Sequence, residues 1–160
     1  MEKQKVENWI EKLGLEKHPE GGYFKEVYRA QDRVLCENVE RSACTSIYFL
    51  LPASEISVLH QIKSDELWHF YDGHPLPVHM IDLEGSYRNF VLGKGFEKGQ
   101  CLQNWVPAGC WFGATVEKGS ALVGCTVAPG FEFQDFRMAD RLKLQQQFPQ
   151  HKEFIARLTR

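Results

Sequence analysis

The chain has 160 residues, 25% of them charged and 43% hydrophobic, with a formal net charge of −2. That length builds one core without disulfides or a structural metal. Lys and Arg are scattered, giving no basic field for a nucleic-acid backbone, and no apolar run nears the ~20 residues that span a bilayer; nucleic acid and membrane are excluded as partners and a cytoplasmic location is expected.

In chain order, Val6, Trp9, Ile10 and Leu13 recur at the spacing of one helical stripe, and Gly14 stands where such a helix stops. A helix is expected over about 4–13. After the turn-rich HPEGG, YFKEVYR alternates Tyr23, Lys25, Val27 and Arg29 with Phe24, Glu26 and Tyr28, a strand with two different faces. TSIYFLLPA, ISVLHQI, ELWHFYDG, PVHMIDL, YRNFVLG, CLQNWVPAG, WFGATV and ALVGCTVAPG follow as short strands punctuated by Gly, Pro, Asn and Asp. Helical patterns are missing between them, so parallel crossovers are unavailable and a mainly β sandwich or barrel is expected. From about 140 to 158 the pattern is helical again, with Pro149 suited to a first helical position and Phe154, Ile155 and Leu158 on one face. One domain over 1–160, its core about 23–137, is the expected organisation.

The five cysteines form an odd set without a C-x-x-C pair and are read as reduced thiols. Chemistry concentrates in HQIKSDELWHFYDG and, some thirty residues later, VPAGCWFG. By the period of two, Ile56, Val58, His60 and Ile62 share a face, as do Glu66, Trp68 and Phe70; His69 falls on the opposite one. Tyr48 shares a face with Ser46 and Leu50, where a phenol either donates a proton to a ligand or bonds a backbone carbonyl. His74 and His79 are read as surface or interface histidines, and His18 and His151 are given no role. Gly109, two residues after Pro107 in a turn between strands, is expected at positive φ or at a close backbone approach.

His60, Glu66 and Gly73 resemble the first motif of the cupin superfamily, His-x-His, three or four residues, Glu, six residues, Gly; Pro107 and Gly109 resemble the centre of the second, Pro-x-Gly-x-x-His. HPEGGYFKEVYR, SIYFLL, SDELWHFYDG, VPAGCWFG and APGFEFQDF are further similar to the small single-domain cupins of unknown function, related in fold to the rhamnose-pathway sugar epimerases and to seed storage globulins. The resemblance implies a double-stranded β-helix, a jelly-roll barrel, with one internal pocket. It implies His60 and Glu66 as catalytic candidates and Tyr23 over the barrel mouth; the strand faces add Tyr48 as a catalytic candidate and Trp68 and Phe70 as pocket walls, with Trp111 and Phe112 lining the same pocket. Ile62 and Phe112 stand where the family carries two metal-binding histidines, so no cofactor is assigned; a divalent metal, if bound, would take His60, Glu66 and His69. The implied function is binding of a small polar molecule, either with metal-independent isomerisation or epimerisation of a sugar or sugar nucleotide, or as a non-catalytic sensor. A homodimer is the expected assembly.

Overall fold

The computed structural model describes residues 1–160. One sheet runs in the order β1 (Glu16–Lys17), β2 (Tyr23–Arg29), β5 (Thr45–Pro52), β12 (Ser120–Ala128), β7 (Asp65–Gly73), β10 (Gln103–Val106). The second runs β13 (Arg137–Met138), β6 (Ser57–Gln61), β11 (Trp111–Ala114), β8 (Leu76–Ile81), β9 (Tyr87–Leu92), and β3 (Arg33–Cys36) with β4 (Val39–Ser42) forms a separate hairpin. All strand pairs are antiparallel, and late strands β12 and β11 lie between early ones, β5 and β7 or β6 and β8. This interleaving is the jelly-roll winding, and the fold is mainly β.

Alternation sends Phe49, Leu51, Trp68, Val123, Val78, Met80 and Phe112 into one core between the sheets. Each such side chain, withdrawn from water, contributes about 1.5–3 kcal/mol before the entropy of ordering it. The outer face of the six-stranded sheet is covered by α1 (Glu2–Leu13), whose stripe of Val6, Trp9, Ile10 and Leu13 packs on Leu15, Leu50 and Leu122. Gly14 ends α1 in the left-handed region at φ 63, which lets Leu15 N–H reach back to Ile10 O at 2.9 Å. On the outer face of the five-stranded sheet, Leu59, Ile81 and Trp111 meet Leu144 of α2 (Arg141–Gln147) and Ile155 of α3 (Lys152–Arg157), with Leu158 just beyond. Asp140 caps α2 by accepting from Lys143 N–H at 3.0 Å. All five cysteines are free thiols, and no helix is long and apolar enough to cross a membrane.

Two β-bulges re-aim side chains. In β2, Glu26 pairs Ile47 while Tyr28 pairs Ser46, so one extra residue intervenes and Arg29 joins Phe24 and Glu26 on the inner face. Strict alternation had Arg29 on the other face; the bulge is the reason it is not. In β6, His60 pairs Phe112 but Ser57 pairs Ala114, three residues against two. Ser57 and His60, at an odd offset, therefore turn toward the same carboxyl. Gly109 has φ 82 in the turn before β11.

Candidate functional site

The segment His18–Gly22 closes on itself, His18 N–H donating to Gly22 O and Gly21 N–H to His18 O, both at 3.0 Å. Gly21 sits at φ 108, and a Cβ there would lie 2.0 Å from Ile56 O. Only glycine lets this turn press against the start of β6. Val58 N–H donates to Glu20 O at 2.8 Å and Gly22 N–H to Glu55 Oε2 at 2.9 Å, while Lys17 pairs with Glu55. The turn is thereby fastened so that His18 and Glu20 point into the barrel.

Inside is a cavity with about 80 Å³ of room for solvent-sized groups, about 650 Å³ when the space out through its mouth is counted. His18, Glu20, His60, Glu66 and Cys125 supply its polar wall; Phe24, Phe49, Phe131, Phe133 and Phe136 give it an aromatic one. Glu20 is 6% exposed, His60 3% and Glu66 8%. His60 Nδ1 lies 2.7 Å from Val58 O and donates its proton there, leaving Nε2 3.1 Å from Glu20 Oε2. Glu20 Oε1 accepts from Ser57 Oγ at 2.8 Å. A single proton can thus sit on either side of the Glu20–His60 contact, a dyad held from behind by a hydroxyl and a backbone carbonyl.

Burial sets the protonation states. It lowers His60 to about 4, only partly opposed by the bond to Val58, and it raises Glu20. Burial, then the charge of Glu20, raises Glu66 to about 8, against a bond from Cys125 that pulls it down. Glu66 is therefore a neutral acid at pH 7. The Cys125 thiol is pushed well above its ordinary range by the same burial and by Glu66.

The mouth is covered by residues 131–136. Arg29 binds both carboxylate oxygens of Glu26 at 2.9 Å, Glu132 at 2.9 Å and Phe131 O at 3.0 Å; Phe131 N–H donates to Thr45 Oγ1 at 2.9 Å. Arg41 grips Asp135 through two bonds at 2.7 and 2.9 Å. These ties hold Phe133 and Phe136 over the chamber.

The structure thus brings His60 and Glu66 to one cavity but gives His60 a different carboxyl partner, Glu20. Tyr48 is on the outer face, packed beneath α1 and 6.0 Å from the Tyr71 ring, so it is not a catalytic candidate. His69 is outward too, Nε2 at 3.2 Å from Thr126 Oγ1, which takes it out of any ligand set with His60 and Glu66. Trp68, Phe70 and Phe112 fill the core rather than the cavity wall, Phe112 lying against the His60 ring at 4.1 Å. Trp111 faces the C-terminal helices, and Tyr23 packs under α1 with Lys17 Nζ 4.1 Å from its ring centroid, so neither reaches the pocket. The residues do not fit a divalent ion: Ile62 and Phe112 are apolar where two ligands belong, and no three His, Cys, Asp or Glu side chains are arranged to hold one. What sequence reasoning missed is His18, Glu20 and the phenylalanines of GFEFQDF.

The family model described as Cupin superfamily (DUF985) matches residues 7–139. A hypothetical protein from Leishmania major superposes with TM-score 0.92 at 37% identity, covering 96% of this chain and 97% of that one. Protein SO0799 from Shewanella oneidensis gives TM-score 0.89 at 38% identity over 96% of each chain. The uncharacterized protein YML079W of Saccharomyces cerevisiae is 28% identical, covering 76% of this chain and 68% of that protein.

Proposed function

This chain belongs to the Cupin superfamily (DUF985), and within that family we propose that it is a metal-independent enzyme that moves a proton on a small polar molecule, an isomerase or epimerase acting on a sugar-like ring. The observation that carries this reading is the placement of two proton-handling units, the Glu20–His60 dyad and neutral Glu66, on one aromatic-walled cavity. Their environments push their affinities for protons apart, as an acid and a base in one site require.

Once the dyad has given up its proton, His60 is neutral and Glu20 is a carboxylate facing the chamber. It takes a proton from a carbon next to a carbonyl: the C–H bond breaks, an O–H bond forms on Glu20, and the electron pair moves onto the carbonyl oxygen. Glu66, protonated, supplies an O–H to that oxygen. Glu20 then returns the proton to the former carbonyl carbon while the adjoining hydroxyl gives its proton to Glu66, which restores both groups and completes an isomerisation with no co-reactant. If the planar intermediate first turns over, return of the proton to the original carbon and of the O–H proton to Glu66 gives the epimer. The reacting carbon and its carbonyl sit in the chamber, and the rest of the molecule extends toward the mouth beside Arg29.

The test is proton NMR of small aldoses and ketoses incubated with the protein in D2O. Deuterium should enter next to the carbonyl with the parent protein and not with Glu20→Gln. A sugar that binds without exchanging would replace this reading with a ligand-holding role.

A further inference from the structure

Resting on that reading, we infer that His18 is a further catalytic residue, donating its Nε2–H to the substrate's carbonyl oxygen, so that the cavity is built for a small planar oxyanion such as an enolate. Its tautomer is fixed by the main chain. Glu20 N–H donates to His18 Nδ1 at 3.2 Å, a nitrogen that must then be the bare one, and the ring proton is left on Nε2. Glu20 Oε2 lies 3.5 Å from the same Nδ1, beyond a close hydrogen bond, and no protein group bonds Nε2, although the side chain is only 7% exposed and lines the cavity. An N–H that faces a cavity and has no protein partner is a donor open to a ligand.

The ring is held in place by aromatic packing. Phe24 stands edge-on at 4.6 Å, Phe136 at 5.9 Å, Phe133 at 6.1 Å and Phe49 edge-on at 6.2 Å. These neighbours cannot compete for the donor. Burial also keeps the imidazole neutral against the pull of Glu20, so it presents one defined N–H rather than a diffuse positive charge. Glu66 offers a second donor from β7. Fixed donors aimed at a developing oxyanion in a dry chamber lower the barrier to enolisation, because they need no reorganisation as charge appears.

The probe is p-nitrophenol, whose phenolate is a stable oxyanion and absorbs in the visible. The parent protein should bind the phenolate at least tenfold more tightly than p-nitroanisole, which lacks the oxyanion. His18→Phe keeps the aromatic packing and removes the donor; it should weaken phenolate binding at least tenfold, leave p-nitroanisole binding unchanged and keep a folded melting transition. His18→Gln, which retains an N–H, should recover part of the loss. ¹⁵N NMR of the parent should show His18 protonated at Nε2 and bare at Nδ1 near pH 7. Equal phenolate binding by His18→Phe, no phenolate binding by the parent, or the opposite tautomer would each overturn the assignment. Failure of the proton-transfer reading is separate: there, no sugar exchanges deuterium even though His18-dependent phenolate binding persists.

Discussion

Two histidines, His60 and His79, are buried in opposite surroundings and share one electrostatic signature. Burial lowers each to about 4. His79 lies on the outer face of β8, its Nδ1 at 2.8 Å from the Tyr87 hydroxyl and its Nε2 at 3.0 Å from Thr115 Oγ1, with the Phe154 ring of α3 at 5.9 Å. The reading of His79 as a surface histidine fails because α3 covers it. Both its nitrogens are satisfied by neutral hydroxyls, and it lines no part of the site cavity. His60 has one nitrogen on a carbonyl and the other on a carboxyl that shares its proton, beside open space. A displaced proton affinity therefore marks desolvation; the partner type and the cavity separate a working histidine from a packed one.

Glu20→Gln breaks the dyad at its acid and should have the largest effect, an exchange rate lower by about 10²–10⁴-fold. The melting temperature should stay level or rise, since a buried carboxyl is removed; a matching loss of stability would make Glu20 a structural partner like Tyr87. Gly21→Ala leaves both histidines in place but drives a Cβ toward Ile56 O, at positive φ. A cost of about 3 kcal/mol by urea unfolding is expected, with loss of deuterium exchange as Glu20 is displaced. His79→Ala should cost about 2 kcal/mol, from a cavity and two stranded hydroxyls, and leave exchange untouched. If exchange falls with it, the two histidines are coupled and the contrast between them fails.

The smallest effect at neutral pH is one of shape. Between about 4.5 and 8 the folded chain keeps on Glu66 a proton the unfolded chain has lost, so this group makes stability fall as pH rises; Glu20 acts in the same sense. Between about 4 and 6.5 the unfolded chain holds protons on His60 and His79 that the folded chain does not, so stability rises with pH; His18 adds to the rise. Above about pH 4.5, His60 and His79 together outweigh Glu66, so the melting temperature climbs to about pH 6.5 and, once they have titrated, declines toward 8. Glu66 faces Glu20 and Cys125, and Glu66→Gln should flatten the decline while leaving the acidic limb in place; a decline that persists unchanged would mean that Glu66 titrates normally.

The barrel was legible because its strands alternate plainly: the inward Phe49, Leu51, Trp68 and Val123 and the outward His69 follow from a period of two, whereas Tyr48, taken as a catalytic candidate, lies on the outward face with Ser46. The two end helices were legible from Val6, Trp9, Ile10 and Leu13 and from Phe154, Ile155 and Leu158. His60 and Glu66 reached the cavity for the same reason of period. The partner of His60 was not legible, because HPEGG is a turn, and a turn has no period to say where Glu20 points. Nor does alternation disclose a bulge: Ser57 and His60 meet one carboxyl, and Arg29 meets Glu26, because β6 and β2 each carry an extra residue. The assignment of Trp68, Phe70 and Phe112 to the pocket was correct in direction and wrong in depth. They face inward but fill the core, while the wall comes from Phe131, Phe133 and Phe136, far along the chain.

The ties across the mouth also bear on the order in which the molecule forms. Glu20 meets His60 across 40 residues of sequence, and Phe131 meets Thr45 across 86, so the chamber joins segments that only large-loop closure brings together. The hairpins β8–β9 and β3–β4 close locally and carry none of the cavity's polar groups. In folding time, the site therefore follows the local hairpins: it exists only once long-range strand pairing has occurred and the segment around Phe131 has docked. A chain released before that segment is made would hold the early strands and lack the site.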